Sequence, residues 1–288
     1  TLPDGREMKV LPSIHPAALM RTPMWTPRCH VDWEKIKYLL DNPEVNPIPE
    51  FNPIIFPIEG DYAYSLEQAS KAPYLAVDIE TNPRQRDLIC VGFGWSETEG
   101  ISIPASDHQR IQEFLSLPMP KVFHNGYAYD IYWLARFGFS ISGSVDDTFC
   151  MAHALDPRDE HSLAFLASLY TWFPYWKDEV RVQSTIESLF KYNIKDCVAT
   201  WQLYSRLHDL LQTTKRFTQY ATLYKPLFEP LITMALKGVR YDEELRDSEY
   251  KRLQTQIALD IKTVEELAGT KLTGPKAISN VKLGNFLY

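Results

Sequence analysis

Asp78 and Glu80 stand two residues apart at the end of a short apolar run, Tyr74–Ile79. Alternate residues of a strand share one face, so both carboxylates can aim at one point. Asp130 closes a second cluster, His124-Asn125-Gly126-Tyr127-Ala128-Tyr129-Asp130. Tyr192 and Asp196 are four residues apart, which puts phenol and carboxylate on one face of a helix. Four carboxylates and a hydroxyl suit hard divalent ions such as Mg²⁺ or Mn²⁺, which prefer oxygen ligands. Hydrolysis of a phosphodiester at neutral pH needs a nucleophile and neutralisation of charge on the phosphate and leaving oxygen. Two ions about 3.5–4 Å apart supply both. Each piece alone is common. Asp-x-Glu often ends a solvated strand, an Asp opening a helix is often a cap, and Tyr-x-x-x-Asp is often one polar helix face. Their joint order between residues 78 and 196 is what carries weight.

The elements that must hold these residues are legible in outline. Tyr74–Ile79 reads as a strand, and Leu88–Trp95 and Ile101–Ile103 as two more around a polar turn. Together they make a three-strand antiparallel meander. Lys121–His124 is a fourth strand, with Gly126–Phe137 as an amphipathic helix after it, and Ser144–Asp147 a short fifth strand. Helices are expected at Thr148–Leu155, Ser162–Leu169 and Ile186–Leu211. The fold class is α/β: a mixed sheet of three antiparallel strands followed by parallel strands alternating with helices.

Four segments follow from composition. Residues 1–45 hold a basic–apolar piece and a helical run, Val31–Leu40; residues 46–62 are rich in proline and read as a linker. Residues 63–214 carry the chemistry, and 215–288 look helical. A net charge of −7 argues against a nucleic-acid binder if taken alone. Residues 215–288, however, hold 12 Lys and Arg against 9 Asp and Glu. Negative charge elsewhere is partly what bound cations would invert locally. The four cysteines form no C-x-x-C pair and read as reduced cytosolic thiols without structural zinc. No run is apolar enough to span a membrane. A start at Thr1 without initiator Met suggests a piece of a longer chain.

Residues 63–214 resemble the DEDDy subgroup of 3′→5′ exonucleases, which share the ribonuclease H-like fold. The resemblance rests on Asp78-Ile79-Glu80, on Asn125 through Asp130, and on Tyr192 through Asp196. Asp147-Thr148, Ala154-Leu155-Asp156-Pro157 and His161-Ser162-Leu163 match the flanking text. It implies two Mg²⁺ (or Mn²⁺) ions held by Asp78, Glu80, Asp130 and Asp196. Asp78 would bridge both ions, Glu80 and Asp196 would hold the one beside the attacking water, and Asp130 would support the other. Tyr192 would orient that water. Asn125 would touch the terminal nucleotide and Tyr129 would pack beneath the site. Relatives often wedge an apolar side chain against the terminal base just after the first motif. Here that stretch is Thr81-Asn82-Pro83-Arg84, so either Pro83 is the wedge or Arg84 stacks on a base, with Thr81 beside them.

Residues 224–272 resemble the start of the polymerase region of family A DNA polymerases, through Leu227-Phe228-Glu229-Pro230-Leu231, Met234 and Gly238-Val239-Arg240-Tyr241-Asp242. The resemblance implies a thumb that grips a primer–template duplex, with palm and fingers lying outside this sequence. Val10 through Pro23, around His15-Pro16, resembles the last motif of family 4 uracil-DNA glycosylases. Residues 1–45 then read as the tail of an upstream glycosylase-like domain whose other motifs are not here. The expectation is a proofreading exonuclease acting on a single-stranded DNA 3′ end in the cytoplasm of a bacterial or phage-infected cell. An exoribonuclease of the same fold and a non-catalytic scaffold are the competing readings.

Overall fold

The computed structural model describes residues 10–55, 57–82, 87–177, 185–273 and 279–287. The chain forms two compact units, Thr1–Leu236 and Lys237–Tyr288.

The first unit is built on a six-stranded sheet in the order β1-β4-β3-β2-β5-β6. Its strands are β1 (Asn52–Ile54), β2 (Leu75–Thr81), β3 (Leu88–Gly94), β4 (Glu99–Pro104), β5 (Lys121–Phe123) and β6 (Val145–Asp147). The meander β2–β3–β4 is antiparallel, and β5 and β6 continue parallel to β2. The expected mixed sheet is therefore present. Helices α1 (Pro16–Arg21), α2 (Thr26–Asp41), α3 (Glu59–Lys71), α4 (His108–Leu115), α5 (Asp130–Arg136), α6 (Thr148–Leu155), α7 (Leu163–Tyr170) and α8 (Ile186–Thr213) flank it. A short turn of helix α9 (Phe217–Gln219) and a π-helical turn lead into α10 (Lys225–Lys237).

Alternation along β2 explains the layering. Leu75, Val77 and Ile79 enter a core with Tyr62 and Ala69 of α3, Ile111 and Phe114 of α4, and Leu134 of α5. Asp78 and Glu80 therefore point to the opposite face. There α8 crosses β2, β3 and β4, and Ile194, Val198, Leu203 and Leu207 form a second core with α6 and α7.

Two segment boundaries differ from the sequence expectation. Residues 46–62 were expected to be a linker, yet they contain β1, which pairs in parallel with β4, and the first turn of α3. Pro53 lies in β1, at the end of the strand order, where a missing N–H costs little. The Asp61 carboxylate accepts from the Ile58 N–H at 2.9 Å and so starts α3. Residues 215–236, expected with the C-terminal segment, lie in the first unit. Tyr220 is fully buried there. Its hydroxyl donates to Asp146 Oδ1 at 2.9 Å, and Lys225 Nζ pairs with the same oxygen at 2.8 Å. At the N-terminal end, His15 Nδ1 accepts from the Ala17 N–H at 3.1 Å and caps α1.

The second unit holds α11 (Glu243–Ala268) and α12 (Asn280–Leu287). Asp242 caps α11 by accepting from Leu245 N. Gly269, at φ +65°, closes it in the left-handed conformation that glycine adopts without strain. Among the described residues, no helix is long and apolar enough to cross a membrane.

Candidate active site

Asp78 and Glu80 project from the α8 face of β2, opposite Gly92 and Cys90 of β3. The pairing of β2 with β3 shifts register between Glu80 and Thr81, just beyond them. Asp196 comes from the middle of α8. One carboxylate oxygen from each of Asp78, Glu80 and Asp196 falls within 4.8 Å of the others. Three anionic donors converging from two elements form an all-oxygen set, which fits a hard divalent cation.

Asp130, the first residue of α5, is brought near but is not in that triplet. Its Oδ1 accepts from the Ile79 N–H at 3.0 Å, so one of its oxygens is used to join α5 to β2. The turn before it is held from below. Asp147, at the end of β6, accepts from the N–H groups of Asn125 at 3.1 Å and Gly126 at 2.8 Å, and also caps α6 through Phe149 and Cys150. Asn125 has φ +60° and an exposed side chain. Gly126 sits so close to Phe123 that a Cβ would lie 2.4 Å from that ring's own Cβ. Tyr129 is at the surface, hydrogen-bonded to the Thr81 hydroxyl, with its ring edge-on to Trp133. The expectation that it packs beneath the site is corrected. It precedes the first residue of α5, and its ring turns outward along that helix. Pro83 and Arg84 lie outside the described residues.

Burial governs the electrostatics. It pushes the Asp78 carboxyl well above its ordinary range, helped by the charges of Asp196, Asp130 and Glu80. Burial and then Asp196 raise Glu80 to about 8. Burial raises Asp130 to about 7 against the hydrogen bond from Ile79. Asp196 is raised by burial, although Lys177 opposes the shift. The Tyr192 phenol is also raised, by burial and then by Asp196, Glu80 and Asp78. That shift favours the protonated phenol, which can donate a hydrogen bond.

Three side chains that hydrogen-bond the clustered carboxylates have no counterpart in the sequence reading. Lys177 places Nζ at 2.7 and 3.0 Å from the Asp196 oxygens and also contacts the Tyr192 hydroxyl. Trp176 Nε1 donates to Asp196 Oδ1 at 2.6 Å. Both lie in an irregular stretch without periodicity, so no pattern marks them. Asn193 donates to Asp78 Oδ2 at 2.8 Å. Its position beside Tyr192, as a polar residue on the core side of a helix, was the signal available. A cleft of about 330 Å³ opens over this group, lined among others by Asp78, His124, Asn125, His161, Lys177 and Asp196.

A family model described as 3′→5′ exonuclease, of the type found in family A DNA polymerases, matches residues 54–212. The chain belongs to this 3′→5′ exonuclease family. The exonuclease match starts inside β1, in accord with the strand found there. DNA polymerase I of Synechocystis is 26% identical over 246 residues, covering 73% of this chain and 24% of that polymerase. The chain thus spans about a quarter of the curated relative it matches. Among solved structures, the polymerase domain of M. smegmatis Pol1, in complex with DNA primer-template and dNTP, superposes with a TM-score of 0.55. Identity is 18%, over 78% of this chain and 39% of that one. The catalytic core of Trypanosoma brucei RRP6 gives 0.52 at 17% identity, covering 66% of this chain and 55% of that one. Escherichia coli RNase D, an exoribonuclease involved in structured RNA processing, gives 0.51 at 16% identity over 66% and 52%. At these identities the likenesses establish a shared ribonuclease H-like fold. The chain is similar in sequence to DNA polymerase I and shares its fold with RNase D.

Proposed function

We propose that this chain is a metal-dependent 3′→5′ DNA exonuclease that releases deoxynucleoside 5′-monophosphates and proofreads for a family A DNA polymerase. The observation that carries the reading is the convergence of Asp78, Glu80 and Asp196 within 4.8 Å, with Tyr192 one helical turn before Asp196. Two divalent ions, Mg²⁺ or Mn²⁺, would supply charge neutralisation and a nucleophile at neutral pH. Asp78, Glu80 and Asp196 would hold them, and Asp130 would contribute the oxygen not engaged with Ile79. The Tyr192 hydroxyl would orient the attacking water as a hydrogen-bonding partner. Asn125, exposed at the cleft mouth, contacts the terminal nucleotide. Thr81 and Tyr129 brace the strand end, and either Pro83 or Arg84 is the residue that meets the terminal base.

The DNA preference is supported by the sequence likeness to DNA polymerase I and by the polymerase-like residues 224–272. On this reading residues 215–288 begin the polymerase region, with thumb-like helices that meet a primer–template duplex, completed by palm and fingers of a parent chain. Residues 1–45 are read as the tail of a glycosylase-like domain. The RNase D likeness keeps an exoribonuclease as the second reading. Digestion of 5′-labelled single-stranded DNA and RNA, side by side with Mg²⁺ or Mn²⁺, tests the choice. Shortening of DNA from the 3′ end, absent in EDTA, is expected; preferential RNA shortening selects the second reading. A folded, metal-binding chain that digests neither substrate returns the scaffold reading.

Tyr192→Phe removes one donor and leaves all four carboxylates. Its cleavage rate falls by about 10²–10³-fold, as for loss of one positioned donor. Mn²⁺ affinity and DNA binding stay near wild type. Lost metal binding in that variant excludes the orienting role.

A further inference from the structure

We propose that Asn193 is a positioning residue for the Asp78 carboxylate, held in turn by Ser102, and that this pair sets how Asp78 presents its remaining oxygen to the cation. The proposal rests on the reading of Asp78 as a metal ligand.

Asn193 is completely buried on α8, between Tyr192 and Asp196 in sequence. Its Nδ2 donates to Asp78 Oδ2 at 2.8 Å and to the Asp78 carbonyl at 3.2 Å. Its Oδ1 accepts from Ser102 Oγ of β4 at 2.8 Å and, at 3.7 Å, from the Cys90 thiol of β3. The orientation of the amide is dictated by these partners. The Asp78 carbonyl only accepts, so the nitrogen must face Asp78 and the oxygen faces the Ser102 hydroxyl. One side chain thus joins β4, β3, β2 and α8 at the first motif.

The pocket for this amide is built into the sheet. Gly92 lies directly opposite Asp78 on β3. A Cβ there would come 2.4 Å from Asn193 Oδ1 and 2.7 Å from Cys197 Sγ. Any side chain at 92 would expel the amide or lift α8, which also carries Asp196.

The electrostatic consequence distinguishes Asn193 from a merely satisfied core group. It is neutral and adds no charge to a cluster of carboxylates that already repel one another. It donates to one Asp78 oxygen and leaves the second oxygen for a cation. Hydrogen bonds to a ligating carboxylate orient it, and their loss typically costs 10–100-fold in metal affinity.

The test is Mn²⁺ binding to the full chain without DNA, followed by electron paramagnetic resonance, with melting temperature recorded in parallel. Asn193→Ala raises the Mn²⁺ Kd by about 10–100-fold. Ser102→Ala, which touches no carboxylate, raises it by less. The double variant matches Asn193→Ala alone, because Ser102 acts through the amide. In single-turnover digestion at saturating DNA, the rate deficit of Asn193→Ala is recovered by excess Mn²⁺. A folded Asn193→Ala protein with wild-type Mn²⁺ affinity overturns the proposal. If that variant does not fold, unchanged affinity in Ser102→Ala overturns it equally. Wild-type chain that binds no Mn²⁺ at all fails earlier, at the metal-site reading itself.

Discussion

Asp78→Ala lowers the rate of 3′ shortening of single-stranded DNA by at least about 10³-fold and does not unfold the protein. The carboxylate stands at the centre of the site: it faces Glu80 and Asp196, is gripped by Asn193, and feels the charge of Asp130. If it bridges the ions, its loss removes charge stabilisation worth several kcal/mol, and each ~1.4 kcal/mol is a factor of ten. The stability effect has the opposite sign. Burial and neighbouring carboxylates raise Asp78 in the folded protein, so ionising it opposes folding. Without metal, the variant should melt no lower than wild type at pH 8. Its melting curve and digestion ladder, measured beside wild type, check both halves. Undiminished cleavage removes Asp78 from the site.

Addition of Mg²⁺ or Mn²⁺ at pH 8 raises the melting temperature by roughly 5–10 °C, and by less at pH 6. Glu80 is raised to about 8 and Asp130 to about 7 by burial and neighbouring charge, and Asp78 and Asp196 are raised as well. A carboxyl whose folded pKa lies above its unfolded value binds its proton more tightly when folded. The stability it contributes is fully present below pH about 4 and is lost as pH rises through 7 and 8. The metal-free protein therefore loses stability between pH 5 and 8. A cation binds the ionised form and competes with protons, so its effect grows over the same window. At 100 times its Kd a ligand contributes about 2.7 kcal/mol, and each kcal/mol moves the midpoint by about 2–4 °C at this size. Melting curves in EDTA and in metal at the two pH values check this. Identical curves mean that the carboxylates hold no cation.

Much of this was legible from local patterns. Apolar alternation in β2 placed Asp78 and Glu80 on one face, and the i, i+4 spacing placed Tyr192 with Asp196. Helix α6 spans Thr148–Leu155, as its apolar run led one to expect. Proline content concealed β1, because a short edge strand needs few N–H donors and carries no long alternation. The helix expected from Gly126 starts only at Asp130, because Asn125 takes φ +60° and Asp147 holds the turn open.

The sequence by itself determined the donor types, their order along the chain and the strand and helix faces that bear them. Those depend on side-chain chemistry and on periods of two and 3.6 residues, which are local properties. Tertiary structure alone decided which oxygens meet. It put Asp130 against Ile79 rather than in the triplet, brought Lys177 and Trp176 onto Asp196, and set Asn193 between Ser102 and Asp78. Such contacts join residues between 19 and 115 positions apart, and no local period encodes a distance of that kind. They follow from α8 lying close across β2, β3 and β4, where Gly92 leaves it room.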